Sequence, residues 1–314
     1  MDDRDDLNTE KKSVKTLMIL VGILAVCLLV LLITIYPQEL HNLKKFSKAD
    51  LSSVSVDVSN SLPESSGASL NGGNTINLTE NTTTSITATG TVTDYNSCKD
   101  LASVSIAVFK DGTTCATSGD ANNDTCYFWT DSSPASDSSC TGDSDVSYSA
   151  SHNFSIQYYT DGGTWKAAVL ASDIVGAGTP DTSTGVTLND LQSLNVGDIA
   201  YGSVAPGGNS SGDHTATVTN TGNTALDFKI SGTDLTCATR GSIPVANQQY
   251  ALSSFTYGTG TALSDTSTDV NANLPAPAQA TVPVNDTSYW QIAIPNGTKG
   301  TCSGSTTFTA QAAI

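Results

Sequence analysis

The chain has 314 residues, with 30 Asp and Glu against 13 Lys and Arg and a formal net charge of −17. So acidic a surface repels phosphate, which excludes nucleic acid as a partner. Aromatic residues make up only 6 % of the sequence, so the cores are modest, and the roughly 265 residues beyond the N-terminal apolar run suit two domains of ordinary size.

Residues 1–16 read as a cytoplasmic tail with five acids and four bases. From Leu17 to Ile35 the chain carries no charge over about nineteen residues, a helix of roughly 28 Å against a hydrocarbon core of about 30 Å. A transmembrane helix is therefore expected over 17–36. The following Thr34-Ile-Tyr-Pro-Gln-Glu39 lacks the small-residue pattern of a cleavage site, which favours an uncleaved signal-anchor. Lys and Arg orient it weakly, with Arg4, Lys11, Lys12 and Lys15 before the run and Lys44, Lys45 and Lys48 after it.

Cysteine usage orients it better. Six of the seven cysteines, Cys98, Cys115, Cys126, Cys140, Cys237 and Cys302, lie beyond the span, an even number suited to three disulfides in an oxidising compartment. The N-terminus is thus expected inside and the bulk of the chain outside. Cys27, within the run, reads as a small apolar residue. Zinc is disfavoured because no C-x-x-C pair occurs and the histidines are only His41, His152 and His214.

Residues 37–74 read as a stalk or linker with one strand, Val54-Ser-Val56-Asp-Val58, which alternates at period two. A strand joined to its domain by the loose Ser59–Asn74 stretch is free to pair with its own sheet or with a neighbour's. Residues 75–173 then show strand-like runs at Thr75–Leu78, Thr84–Val92, Ala102–Phe109, Val146–Tyr159 and Trp165–Ser172, separated by Gly/Asp/Asn-rich turns. A linker is expected over 174–190.

In residues 191–314 seven short runs follow: Ile199–Val204, His214–Asn220, Ala225–Ser231, Tyr250–Thr256, Ala280–Val284, Trp290–Ile294 and Thr306–Ala312. Strands of this spacing suit an immunoglobulin-type β-sandwich. Asn220-Thr-Gly-Asn223 reads as a hairpin tip supplying φ > 0 residues. Cys237 and Cys302 are the only cysteines of this module and are expected to pair, closing a loop of 65 residues for roughly 4 kcal/mol of chain-entropy stabilisation. The four cysteines of the first module allow three pairings, of which Cys115–Cys126 with Cys98–Cys140 is preferred. The fold class expected is an all-β ectodomain of two tandem Ig-like sandwiches after a single N-terminal transmembrane helix.

Several segments resemble known families. Thr87-Ala-Thr-Gly-Thr-Val-Thr-Asp94, Ala102-Ser-Val-Ser-Ile-Ala-Val-Phe109 and Gly163-Thr-Trp-Lys-Ala-Ala-Val-Leu-Ala-Ser-Asp173 resemble tandem Ig-like modules of bacterial and archaeal membrane-anchored surface proteins. Tyr201-Gly-Ser-Val-Ala-Pro-Gly-Gly208 and Ala216-Thr-Val-Thr-Asn-Thr-Gly-Asn-Thr-Ala-Leu-Asp-Phe228 resemble modules of prokaryotic envelope proteins and, more distantly, camelysin-like biofilm fibre proteins. The resemblance implies fold and a surface location; it brings no active site.

Few residues suggest chemistry. Seven N-x-[ST] sequons, at Asn77, Asn81, Asn123, Asn153, Asn209, Asn285 and Asn296, are glycosylation acceptors in a suitable host, although so Ser/Thr-rich a chain yields as many by chance. Asp120, Asn122 and Asp124 imitate the oxygen spacing of a calcium loop, with Thr125 where the usual glycine would stand; Asp269-Val-Asn271-Ala-Asn273 is a thinner echo. No other cofactor is expected. His152 and His214 stand in strand runs without a nucleophile motif, and Trp165 and Trp290 suit core anchors, so no catalysis is expected. Tyr250, Phe255 and Tyr257 are the candidate apolar patch. These features suggest a non-enzymatic structural cell-surface protein, an anchored stalk or building block of an extracellular layer or filament, whose partners are the membrane and either itself or other surface proteins. Its rivals are an adhesin or binding module and a fibre subunit assembled by strand donation.

Overall fold

The computed structural model describes residues 6–35, 53–115, 119, 121–278 and 282–313. The chain divides into two compact units, Met1–Val58 and Ser59–Ile314. In the first, the helix α1 (Asp6–Ile35) contains an apolar stretch, Ser13–Thr34, long enough to cross a membrane. It begins inside the segment expected to be a separate tail, because Leu7–Lys15 has nothing that stops a helix. Thr34 returns its hydroxyl to the Val30 carbonyl at 2.9 Å, hiding its polarity against the helix backbone.

The second unit is all-β. Its first sandwich is built from β1 (Glu64–Leu70), β2 (Thr83–Thr93), β3 (Leu101–Lys110), β4 (Cys126–Asp131), β5 (Ser147–Gln157), β6 (Gly163–Asp173), β7 (Asp181–Thr182) and β8 (Val186–Leu188). One sheet runs β1-β2-β5 and the other β4-β3-β6-β7, with β8 also on β6. Period-two alternation turns Ile86, Ala88 and Val92 inward on β2 to meet Tyr148, Ala150, Phe154 and Ile156 of β5 and Val104, Ile106 and Val108 of β3. Trp165 is fully buried at the centre and donates its indole N–H to the Asp161 carbonyl at 2.8 Å. Gly90 takes an inward position where a Cβ would come within 2.7 Å of Val169, so the sheets approach closely there.

The second sandwich comprises β9 (Leu194–Val196), β10 (His214–Asn220), β11 (Leu226–Gly232), β12 (Leu235–Cys237), β13 (Ser242–Ile243), β14 (Gln248–Ala251), β15 (Thr261–Ala262), β16 (Thr268–Leu274), β17 (Asn285–Ile292), β18 (Cys302–Ser303) and β19 (Thr306–Ala312). Its main sheet runs β15-β14-β17-β10-β9, faced by β16-β11-β19, with β13-β12-β18 as a small third sheet. Trp290 and Phe228 fill the core, and the Trp290 N–H is satisfied by the Ser288 hydroxyl at 2.9 Å. Three disulfides staple the unit: Cys98–Cys140, Cys115–Cys126 and Cys237–Cys302.

Several expectations are corrected. The strand expected over 54–58 is not formed, and Val54, Val56 and Val58 are exposed. Both edges of β2 are occupied, one by β5 and the other by β1, which lies in the stretch read as linker and buries Leu70. The 174–190 linker holds β7 and β8, and its Ser183 makes two 2.8 Å bonds to the Ala167 backbone. Ile199–Val204 is irregular, since the edge of β10 pairs with β9 instead. In the run expected at 280–284, residues 280 and 281 lie outside the described residues and 282–284 form no strand. β4 and β16 were hidden by the Asn and Asp residues beside them, which read as turns.

The two sandwiches meet at the hairpin tip Asn220–Asn223, where Asn220, Thr221 and Asn223 are at most 4 % exposed. None of the tip residues has the expected positive φ. Gly222 is needed for a different reason: a Cβ there would lie 1.9 Å from the Leu191 carbonyl oxygen. The Asn223 side chain accepts from Leu191 N at 2.6 Å and donates to the carbonyls of Thr160 at 2.9 Å and Asn189 at 3.3 Å. Asn223→Ala strands the half-buried Leu191 N–H and the buried Thr160 carbonyl and is expected to cost about 2–3 kcal/mol. Calorimetry should show a lowered, broadened or split transition as the two sandwiches uncouple; an unchanged single transition would mean that water replaces the side chain.

Candidate functional site

The loop after β3 carries the candidate oxygen ligands. Asp120 lies outside the described residues. The Asn122 side-chain oxygen accepts the backbone N–H groups of Asp124 at 3.1 Å, Thr125 at 2.8 Å and Cys126 at 3.1 Å, and the Thr125 hydroxyl at 3.3 Å. It therefore organises the turn, an Asx arrangement that leaves little capacity for a cation. Asp124 turns to Asp161 rather than toward Asn122. Asp161 in turn pairs with Lys110 at 2.7 Å, and the Asp124 Oδ1 atom is buried without a hydrogen-bond partner. Burial, followed by the Asp161 charge, pushes the Asp124 carboxyl up to about 6. No group of three or more His, Cys, Asp or Glu is assembled for a metal among the described residues.

The asparagines of all seven sequons are exposed, with Asn81 and Asn123 in left-handed backbone at loop positions. Asn77 accepts from the Asn189 side chain at 2.7 Å, and Asn153 accepts the Thr87 hydroxyl at 2.6 Å. His152 is stacked on Trp129 at 4.5 Å, and desolvation lowers its basicity. His214 sits edge-on to Tyr201 at 5.5 Å. The expected patch of Tyr250, Phe255 and Tyr257 is not assembled: Tyr250 is buried against Trp290 at 5.5 Å, while Phe255 and Tyr257 are half-buried in the loop beyond it.

Two concave features went unread in the sequence. On the outer face of β3, Ala107 and Phe109 join Phe128, Leu170, Pro180 and the Cys115–Cys126 bridge around an apolar cavity of about 290 Å³. The signal was present: Ile106-Ala-Val-Phe109 is apolar at consecutive positions, as in a strand covered on both faces. The second feature is a trench along the open side of the second sandwich, made of two cavities of about 560 and 520 Å³. They share Tyr201, Gly202, Leu235 and Cys302 and are further lined by Val196, Ile199, Val204 and Phe308. Only the fold brings these residues together.

No family model and no curated protein matches this chain. Among solved structures it is similar to the CsuC–CsuE chaperone–tip adhesion subunit pre-assembly complex of Acinetobacter baumannii archaic chaperone–usher Csu pili, at 9 % identity and a TM-score of 0.33, covering 78 % of this chain and 100 % of that one. It is also similar to the C-terminal domain of the Streptococcus agalactiae AgI/II polypeptide BspA, at 11 % identity and a TM-score of 0.24, covering 79 % and 96 %. A third is the C-terminal domain of the Streptococcus pyogenes antigen I/II-family protein AspA, at 10 % identity and 0.24, covering 76 % and 94 %.

The acid pair makes stability depend on pH. With its carboxyl raised from 3.8 to about 6, folded Asp124 holds a proton that the unfolded chain has released, so stability falls as pH rises through this window. Discounted for solvent screening, the effect is about 1 kcal/mol, or roughly 2–4 °C in Tm between pH 5 and 7. Asp124→Asn should flatten this dependence and raise Tm at pH 7. A wild-type Tm unchanged across the window would refute the assignment.

Proposed function

We propose that this chain is a non-enzymatic structural protein of the cell surface, held by α1 as an uncleaved anchor with its N-terminus inside, its β unit serving outside as a stalk or building block of an extracellular layer or filament. The observation that carries this reading is the pairing of an apolar helix with a β unit in which all six cysteines beyond it are closed as disulfides. Such bridges persist in oxidising compartments. The buried joint at Asn220–Asn223 supports it further, since a load-carrying stalk needs sandwiches that do not swing freely on a linker. The exposed sequon asparagines are open to glycosylation on such a surface.

An adhesin is the second reading, favoured by the apolar cavity of about 290 Å³ on the outer face of the first sandwich. An apolar cavity beside the Cys115–Cys126 bridge suits capture of an apolar side chain or small ligand.

Protease added to intact cells tests the orientation. Loss of an epitope placed near Ile314, with retention of one at the N-terminus until the membrane is permeabilised, is the expected result. A protected C-terminal epitope would overturn the reading. Phe109→Ser and Leu170→Ser separate the two roles: loss of cell adhesion with unchanged surface display would favour the adhesin.

A further inference from the structure

A trench lined by half-buried apolar residues runs along the second sandwich. We propose that it accepts Val54-Ser-Val-Asp-Val58 of a second copy of this chain as an added strand beside β19. The proposal deepens the building-block reading and rests on it.

The donor side is visible in the exposure of three apolar residues. Val54, Val56 and Val58 are 92 %, 81 % and 81 % exposed, and no residue from 53 to 62 lies in a strand. Their spacing puts all three on one face of an extended segment, with Ser55 and Asp57 on the other. Three adjacent exposed valines leave apolar surface in water that a sheet edge would cover.

The acceptor side follows from which edges remain open. β19 ends its sheet, so its edge opposite β11 is unpaired among the described residues. Its inward residues Phe308 and Ala310 are only half-buried, as are Val196, Ile199, Tyr201 and Leu235 across the trench. An open edge also exists on β5, but there the inward Tyr148, Ala150, Phe154 and Ile156 are already buried, so an added strand would cover no apolar surface. At β19 strand addition would satisfy edge hydrogen bonds and cover half-buried core residues together. Of the two cavities, the one of about 520 Å³ is lined by Thr306 and Phe308 of β19.

Charge agrees with this pairing. Six cations lie beyond Lys48: Lys99, Lys110, Lys166 and Lys229 are each in an ion pair, while Arg240 and Lys299 are exposed with none among the described residues. Those two exchange backbone hydrogen bonds at 3.0 Å, and Lys299 lines the trench. On a chain of net charge −17, Lys299 stands in the lining of the groove with Arg240 hydrogen-bonded beside it, and the proposed strand carries Asp57.

Cross-linking of the full chain in mild detergent tests the proposal. In a Cys27→Ser background, one tagged copy carries Val56→Cys and a differently tagged copy carries Ile199→Cys or Ser203→Cys. Oxidation of the mixture should give a disulfide joining the two tags, at least tenfold more than when Ser55→Cys, on the opposite face, replaces Val56→Cys. Equal yields from both registers, no mixed adduct, or a bridge formed within one chain carrying both cysteines would overturn the proposal. The triple variant Val54→Ser, Val56→Ser, Val58→Ser lies outside both cores and should abolish oligomers without moving Tm; oligomers that persist would also overturn it. Arg240→Glu with Lys299→Glu should weaken assembly about tenfold at low salt, and assembly at full strength would refute the charge contact. Surface protease protection, in contrast, would sink the anchored orientation while leaving these outcomes unchanged.

Discussion

The second unit depends on a hairpin tip that is buried rather than solvated. A turn withdrawn from water must find partners for every backbone polar group. Here Thr221 N donates to the Ser193 carbonyl and Asn223 N to that of Leu191, both at 3.0 Å, while Gly222 N reaches the Asn220 side chain, also at 3.0 Å. Ser193 in turn donates to Glu80 of the first sandwich. What looks like a loop between two strands is thus the hydrogen-bonded joint of two sandwiches, and it leaves no room for a side chain at position 222.

From that joint the polar network continues into the first sandwich. Thr160, whose carbonyl receives Asn223, shares its hydroxyl with the phenol of Tyr127 at 2.5 Å. Tyr127 donates to the Asn123 carbonyl at 2.8 Å, and desolvation pushes its phenol up to about 12. Asp124 and Asp161 flank these residues, with Asp161 N donating to the Asp124 carbonyl at 3.0 Å. The acid pair therefore lies beside the joint, so the protonation state of Asp124 bears on the same loops that receive the second sandwich. The loop chemistry at Asn122–Asp124 reads as structural support for this junction, with the turn's own amides on the Asn122 oxygen.

The two sandwiches differ in how completely they cover their cores. In the first, β7 and β8 wrap onto β6 and the 98–140 disulfide ties down a long loop. The second has an irregular 197–205 segment where a regular strand would have sealed the sheet edge. Half-buried apolar residues along β19 are the consequence.

Much of the fold was legible locally. The span from Leu17 to Ile35, the strands His214–Asn220 and Thr306–Ala312, and the two tryptophan anchors follow from hydropathy and period-two alternation, because those signals lie within a few consecutive residues. Strands poor in apolar residues were not legible: β1 is Glu-Ser-Ser-Gly-Ala-Ser-Leu, and only pairing with β2 makes it a strand. The converse error occurred at Val54–Val58, where alternation supplied an apolar face but no strand is formed. By itself the sequence determined the membrane-length helix, the all-β character and the supply of cysteines. Tertiary structure alone decided which edges stay open, that Asn220–Asn223 is a joint, and that Asp124 faces Asp161, because each depends on residues brought together from distant parts of the chain.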